Sequence, residues 1–218
     1  MQLTLQGEPV IGSLVMSNEH YFSENAGADF VARNISVTLA GRTLQVQTAA
    51  GIFSPEHVDQ GTAILLQGIE DTAAQGNLLD IGCGWGPIAL ALAIHSPEAK
   101  VFAIDVNERS LELTRRNATA AGLENMFAFR PEKVPSEIEF DQIWSNPPIR
   151  VGKDELHSIM RTWLPRLRVG GTARLVVQKH LGSDSLLRWL QEEFAATHSA
   201  ERIDSQKTFR IIEVTRTL

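Results

Sequence analysis

The stretch Leu78-Leu79-Asp80-Ile81-Gly82-Cys83-Gly84-Trp85-Gly86-Pro87 constrains this chain more than any other. Its apolar start reads as a buried strand. Three alternating glycines then allow a tight turn whose backbone a ligand can approach closely. Pro87 is suited to the first position of a helix, and the residues after it are apolar enough to continue one. Such a junction turns backbone N–H groups toward a polar small molecule. It also commits the chain to a βαβ architecture.

From Gly76 onward the rhythm repeats. Strands are expected at residues 77–81, 101–104, 126–129, 140–144 and 173–177, and helices at 87–95, 108–121, 154–167 and 185–194. This alternation predicts an α/β fold with a mostly parallel sheet and helices on both faces. Residues 209–215 read as a last strand with no helix after it, expected as an antiparallel edge. Upstream, residues 35–39 and 44–48 alternate apolar and polar around Ala40-Gly41-Arg42-Thr43, the pattern of a hairpin. Residues 58–69 read as a helix capped by Ser54, with Pro55 in its first turn. The expected organisation is a small β-rich extension at 1–56 packed on a core domain at 57–218.

Composition narrows the function classes. Cys83 is the single cysteine, which excludes an intramolecular disulfide and a cysteine-cluster metal site. No apolar run reaches membrane-spanning length, and Met1-Gln2-Leu3-Thr4 lacks the basic head of a signal peptide. A soluble, reduced, cytoplasmic protein is expected. The net charge of −6 argues against a nucleic-acid partner, but its distribution does not. Residues 150–188 hold eight Lys/Arg (Arg150, Lys153, Arg161, Arg166, Arg168, Arg174, Lys179, Arg188) against three acids, a local +5 that leaves −11 elsewhere. Such a run is either a set of solvated helix faces or a phosphate-binding surface.

The glycine loop is not a dinucleotide fingerprint, which needs its third glycine where Pro87 stands, nor a phosphate loop, which needs Gly-Lys-Ser/Thr. Asp80 would repel a pyrophosphate; it suits a ligand bearing an ammonium or a sulfonium. The next strand ends at Asp105, a carboxylate placed to accept two ribose hydroxyls or to cap the helix beginning near Asn107. At the end of a later strand, Ser145-Asn146-Pro147-Pro148-Ile149-Arg150 combines an amide side chain with a stiff backbone that offers carbonyls without N–H groups.

These residues resemble the class I S-adenosylmethionine-dependent methyltransferases over nearly the whole chain. The resemblance implies a Rossmann-like sheet in which Asp80, Gly82, Cys83, Gly84 and Gly86 wrap the amino-acid end of the cofactor. Asp105 would hold the ribose, with Val106 beside it. The family usually places an Asp after the third strand to meet the adenine amine; here the stretch is Phe129-Arg130-Pro131-Glu132, so Glu132 is the candidate. Asn-Pro-Pro at the fourth strand implies methylation of an amino group. Members acting on DNA adenine or protein glutamine usually follow it with an aromatic, whereas Ile149 follows here.

Asn146 to Lys153 with Leu156-His157, His20-Tyr21-Phe22-Ser23-Glu24-Asn25, Gly51-Ile52-Phe53-Ser54, Asp59-x-Gly61 and Gln178-Lys179 look like single-domain relatives of the 16S rRNA guanine-N2 methyltransferase C family. That resemblance implies closure of Phe53 and Ser54 over the cofactor. It places Asn146, Pro147, Pro148 and Ile149 at the reacting amine, and Arg150, Lys153 and Lys179 against RNA. His20, Tyr21 and Phe22 would form either a core plug or a target-side lid. Ribosomal RNA or the small subunit is the implied partner of a monomer or weak dimer that needs no metal.

Overall fold

A computed structural model describes residues 31–148 and 152–218. Strands β1 (Ala32–Leu39) and β2 (Arg42–Ala49) form the expected hairpin, paired from Ala32↔Ala49 to Leu39↔Arg42. Its two-residue turn, Ala40-Gly41, has φ of 44° and 76°, the positive values that match strand twist. A short helix α1 (Gln60–Leu65) follows, and then the alternating core. The core comprises β3 (Gln75–Ile81), α2 (Pro87–His95), β4 (Glu98–Ile104), α3 (Glu108–Ala121), β5 (Met126–Phe129) and β6 (Phe140–Ser145). It continues through α4 (Lys153–Trp163), β7 (Leu167–Gln178), α5 (Ser183–Glu193), β8 (His198–Gln206) and β9 (Phe209–Arg216).

The seven core strands lie in the order β5-β4-β3-β6-β7-β9-β8. The first five are mutually parallel, and β9 is antiparallel to both β7 and β8. This is a Rossmann-like sheet with a two-stranded antiparallel sheet ahead of it. Strand side chains alternate between two apolar layers. Leu78, Val101 and Ala103 face the layer holding α2, α3 and the hairpin residues Val37, Leu39, Leu44 and Val46. Leu79, Phe102 and Ile104 face the layer holding Leu156, Met160 and Trp163 of α4 and Leu186 and Leu190 of α5. Each fully buried Leu or Ile stabilises the fold by roughly 1.5–3 kcal/mol, so both faces anchor the sheet.

Three expectations need correction. The last strand is antiparallel but not an edge: β9 sits between β7 and β8, and β8 is the edge. His198–Gln206 was not readable as a strand because it is mostly polar and exposed, as edges that avoid further pairing are. The helix expected at 58–69 is α1 followed by a 3-10 turn, Leu66–Asp71, interrupted at Gly68. Its cap is Asp59, whose side chain accepts from the Gly61 and Thr62 amides, while Ser54 has φ 47° and donates to the His57 carbonyl. The helix expected to reach 167 ends at Trp163, because Pro165 has no N–H to continue the ladder and Leu167 is already extended.

Candidate active site

In an open parallel sheet, ligands bind at the carboxyl ends of the strands where the order reverses. Here that point is β3, since the chain runs outward through β4 and β5 and then returns to β6 on the other side. Ile81 is level with Ile104 of β4 and Ser145 of β6, and the Ser145 hydroxyl donates to the Ile81 carbonyl at 2.7 Å. The next residue on each strand is therefore Gly82, Asp105 or Asn146. Three residues far apart in sequence leave the sheet at one edge.

The glycine loop is held from below. The Gly82 and Cys83 amides both donate to the Ile104 carbonyl at 2.8 and 3.0 Å, and the Gly86 amide donates to Cys83 at 2.8 Å. Gly82, Gly84 and Gly86 have φ of 75°, 59° and 94°, values a β-carbon disfavours. Gly86 is also crowded, because a Cβ there would meet Thr114 Oγ1 at 3.1 Å. Thr114 and Asn117 of α3 secure the loop by donating to the Gly84 carbonyl at 3.0 Å and the Trp85 carbonyl at 2.9 Å. Asn117 also pairs with the backbone of Gln47, tying the hairpin to the loop. Neither threonine nor asparagine was a sequence candidate; a lone polar residue on a helix face carries no motif.

Asp105 sits at the rim. One oxygen accepts the Gly84 amide at 3.0 Å and the other the Asn107 amide at 2.8 Å. The helix cap itself is Asn107, which accepts from the Arg109 amide. Asp80 is fully buried behind the loop. Its Oδ2 accepts the Ala89 amide at 3.0 Å in the first turn of α2, and its Oδ1 is buried with no partner among the described residues. Burial, opposed by the Ala89 bond and reinforced by Asp105, pushes its carboxyl up to about 8. Burial likewise pushes the Cys83 thiol well above its ordinary range, which leaves it unsuited to nucleophilic attack.

A cleft opens over the loop, lined by Phe53, Ser54, Asp59, Thr62, Gly82, Cys83, Gly84, Trp85, Pro87, Ile88 and Asn146. Phe53 is 63% exposed at its mouth, and the Trp85 indole N–H fixes the adjoining Ser54 carbonyl at 3.2 Å. Asn146 Nδ2 donates to Asp59 Oδ2 at 2.9 Å and Thr62 Oγ1 at 3.1 Å. Among the described residues, no donor meets its Oδ1. Pro147 is buried and Pro148 exposed, with the Pro148 ring 3.8 Å from where a Gly82 Cβ would stand.

The structure does not bring every candidate to the cleft. Val106 is 73% exposed beside Asp105, but not in the lining. Glu132 lies on the 3-10 turn Pro131–Lys133 and is paired with Arg130 at 2.7 Å. His157 is buried and stacks on Trp189 at 3.5 Å. Ile149, Arg150 and residues 20–25 lie outside the described residues.

The +5 segment is not a continuous basic surface. Arg161 pairs with Glu193, Arg168 with Asp141, and Arg174 with both Asp71 and Glu213. Arg166 donates to the carbonyls of Pro135 and Ile138 and lies over the Phe140 and Trp163 rings. Lys153, opening α4, and Lys179, just after β7, are exposed.

A family model described as the methyltransferase small domain matches residues 43–213. The uncharacterized protein YbxB of Bacillus subtilis (strain 168) is 34% identical over 180 residues, 81% of this chain and 90% of its own length. The ribosomal RNA small subunit methyltransferase C of Salmonella typhi is 32% identical over 176 residues, covering 78% of this chain and 49% of that protein. This chain thus spans about half the length of that relative. A T. thermophilus 16S rRNA N2 methyltransferase, solved in complex with AdoMet and guanosine, superposes with a TM-score of 0.74. It is 24% identical and covers 86% of this chain and 51% of that one, a likeness of fold. With the glycine loop, Asp105 and Asn146 meeting at one sheet edge and the family match spanning most of the sequence, the chain belongs to the methyltransferase small-domain family.

Proposed function

We propose that this protein transfers a methyl group from S-adenosylmethionine to an exocyclic amine, the N2 of a guanine in small-subunit ribosomal RNA. The observation that carries the reading is Asn146: its amide lines the cleft, its nitrogen donates to Asp59 and Thr62, and no donor among the described residues meets its oxygen.

The residues present fit the cofactor. It is a cation, and Asp80 beside the cleft is a buried acid with one orphaned oxygen, whose ionised form a nearby positive charge would stabilise. Each Asp105 oxygen accepts one backbone amide, so lone pairs remain for ribose hydroxyls. The exposed Phe53 ring at the cleft mouth provides apolar cover for a flat base. Glu132, proposed for the adenine amine, is paired with Arg130 at 2.7 Å.

Bound against Asp80, the glycine loop and Asp105, the cofactor would supply an electrophilic methyl carbon for the amine nitrogen. The protein's part is to make the amine reactive. An aromatic amine shares its lone pair with the ring. Acceptors on its two hydrogens, Asn146 Oδ1 and the Pro147 carbonyl, favour a tetrahedral nitrogen and stabilise the charge developing on it. Positioning supplies the rest. Cys83, buried and thiol-bonded to Thr114 at 3.5 Å, takes no covalent part.

The substrate assignment draws on the Salmonella relative, which is named for small-subunit ribosomal RNA, and on the fold neighbour solved with guanosine. Lys153 and Lys179, with Arg150, would meet phosphate. We place the protein in the cytoplasm as a monomer or weak dimer. No described helix is long and apolar enough to cross a membrane, and the described residues hold no cluster of metal ligands.

The test offers tritiated S-adenosylmethionine with naked ribosomal RNA, assembled small subunits, DNA and total protein in separate reactions. Label in RNA or subunits supports the proposal. Label confined to DNA or protein overturns the substrate, and label in none overturns the activity.

A further inference from the structure

A carboxamide has two nearly isosteric ends of opposite chemistry, and only one of them is useful to an amine methyltransferase. With the oxygen offered, Asn146 accepts a hydrogen from the target amine. With the group rotated by half a turn, it presents N–H donors to another donor, and the interaction becomes repulsive. Nothing in an isolated strand-end asparagine selects the useful end.

We infer that Asp59 and Thr62 are positioning residues that lock the Asn146 carboxamide in the orientation that leaves its oxygen free for the target amine. The inference rests on the reading of Asn146 as the amine's acceptor. Asp59 is 87 residues away in sequence and 2.9 Å away in space. A carboxylate only accepts, so the Asn146 atom facing it must be the nitrogen; a flipped amide would set two acceptors against each other. The carboxylate is itself held in place, since the same Oδ2 takes the Gly61 amide at 2.8 Å and the Thr62 amide at 3.3 Å.

The surroundings leave it little room to relax. A Cβ at Gly61 would stand 2.8 Å from the Phe209 ring and 3.0 Å from Asp59 Oδ2, so the start of α1 is seated tightly against β9. Thr62 is 3% exposed and places its hydroxyl 3.1 Å from the same Asn146 nitrogen. A hydroxyl can donate or accept, so Thr62 supports the orientation while Asp59 dictates it. A hydrogen bond to a charged acceptor biases the two orientations on the order of ten- to a hundredfold.

Capping and positioning separate by mutation of the full chain. Asp59→Ser keeps a good helix cap but is too short to hold the amide as well. We expect its kcat to fall about ten- to a hundredfold, with cofactor affinity and melting temperature close to wild type. Asp59→Asn keeps both the cap and an acceptor oxygen and should recover most of the loss. Thr62→Val should lower kcat a few-fold. In an Asn146→Ala background, Asp59→Ser should have no further effect on kcat. An Asp59→Ser variant with wild-type kcat, or one whose loss persists undiminished without Asn146, overturns the inference.

A readout independent of turnover is hydrogen exchange of the Asn146 side-chain amide, followed by NMR on 15N-asparagine-labelled protein. Slow exchange in the wild type that becomes fast in Asp59→Ser supports the lock. Exchange in the wild type as fast as that of an exposed asparagine overturns it. If the wild type methylates no amine while Asn146 exchanges slowly, the proposed function has failed and the lock has not.

Discussion

The two sides of the cleft are assembled in different ways. The cofactor side is local: Asp80, the glycine loop and the first turn of α2 are consecutive in sequence, and Asp105 is 21 residues from the Gly84 amide it accepts. The target side is made by folding: Asn146 is presented by β6, but its amide is held from α1, 87 residues upstream. Charge divides the same way. Two buried or half-buried acids stand on the side proposed for a cationic cofactor, and the exposed Lys153 and Lys179 stand downstream of the Asn-Pro-Pro turn proposed for RNA. A binding motif can therefore be carried by one contiguous stretch, while an oriented acceptor requires the tertiary fold.

If the division is real, the largest effect comes from removing the acceptor. Asn146→Ala should leave cofactor affinity intact and lower single-turnover methyl transfer by roughly a hundredfold or more, the usual cost of losing a transition-state hydrogen bond. Weaker cofactor binding with an unchanged rate would move Asn146 to the other side of the comparison. The converse variant, Asp105→Ala, should weaken cofactor binding by about ten- to a hundredfold, read by calorimetry. Unchanged affinity would remove Asp105 from the cofactor side.

Asp80 provides a pH test. Burial pushes its carboxyl up to about 8, which favours the protonated form at neutral pH. A cation in the cleft favours the ionised form, so binding should release a proton. The sign follows: affinity should rise as pH increases toward and through about 8, by at most about tenfold per pH unit for one coupled proton. Asp80→Asn should flatten this dependence. Affinity that falls with rising pH in the wild type would refute the coupling. The smallest effects belong to the lysines. Lys153→Glu and Lys179→Glu should each weaken RNA binding a few-fold and reduce the salt slope by roughly one. Cofactor affinity should not change.

What the sequence made legible follows from how each part is built. The β3 turn, the hairpin and the parallel core could be read because periodicity and glycine spacing are local signals. Strand β8 could not, since an exposed polar edge has no apolar alternation to detect. The start of α1 was misplaced because Ser54 and Asp59 are both acceptable caps, and only tertiary packing chooses Asp59. The basic segment was visible as composition, yet Arg161, Arg166, Arg168 and Arg174 are spent within the fold on partners no spacing rule identifies. Asn146 was recognised from Asn-Pro-Pro, whereas its hydrogen bonds to Asp59 and Thr62 exist only once α1 packs against β7 and β9.

The central proposal is that an amine on guanine receives the methyl group, and nucleoside analysis of the product tests it most directly. Small-subunit ribosomal RNA from cells lacking the protein would be incubated with it and labelled S-adenosylmethionine, digested to nucleosides and separated. Label eluting as N2-methylguanosine is the expected result. Label in a ring-carbon or ribose-methylated nucleoside, where an amine acceptor has no part, would contradict it.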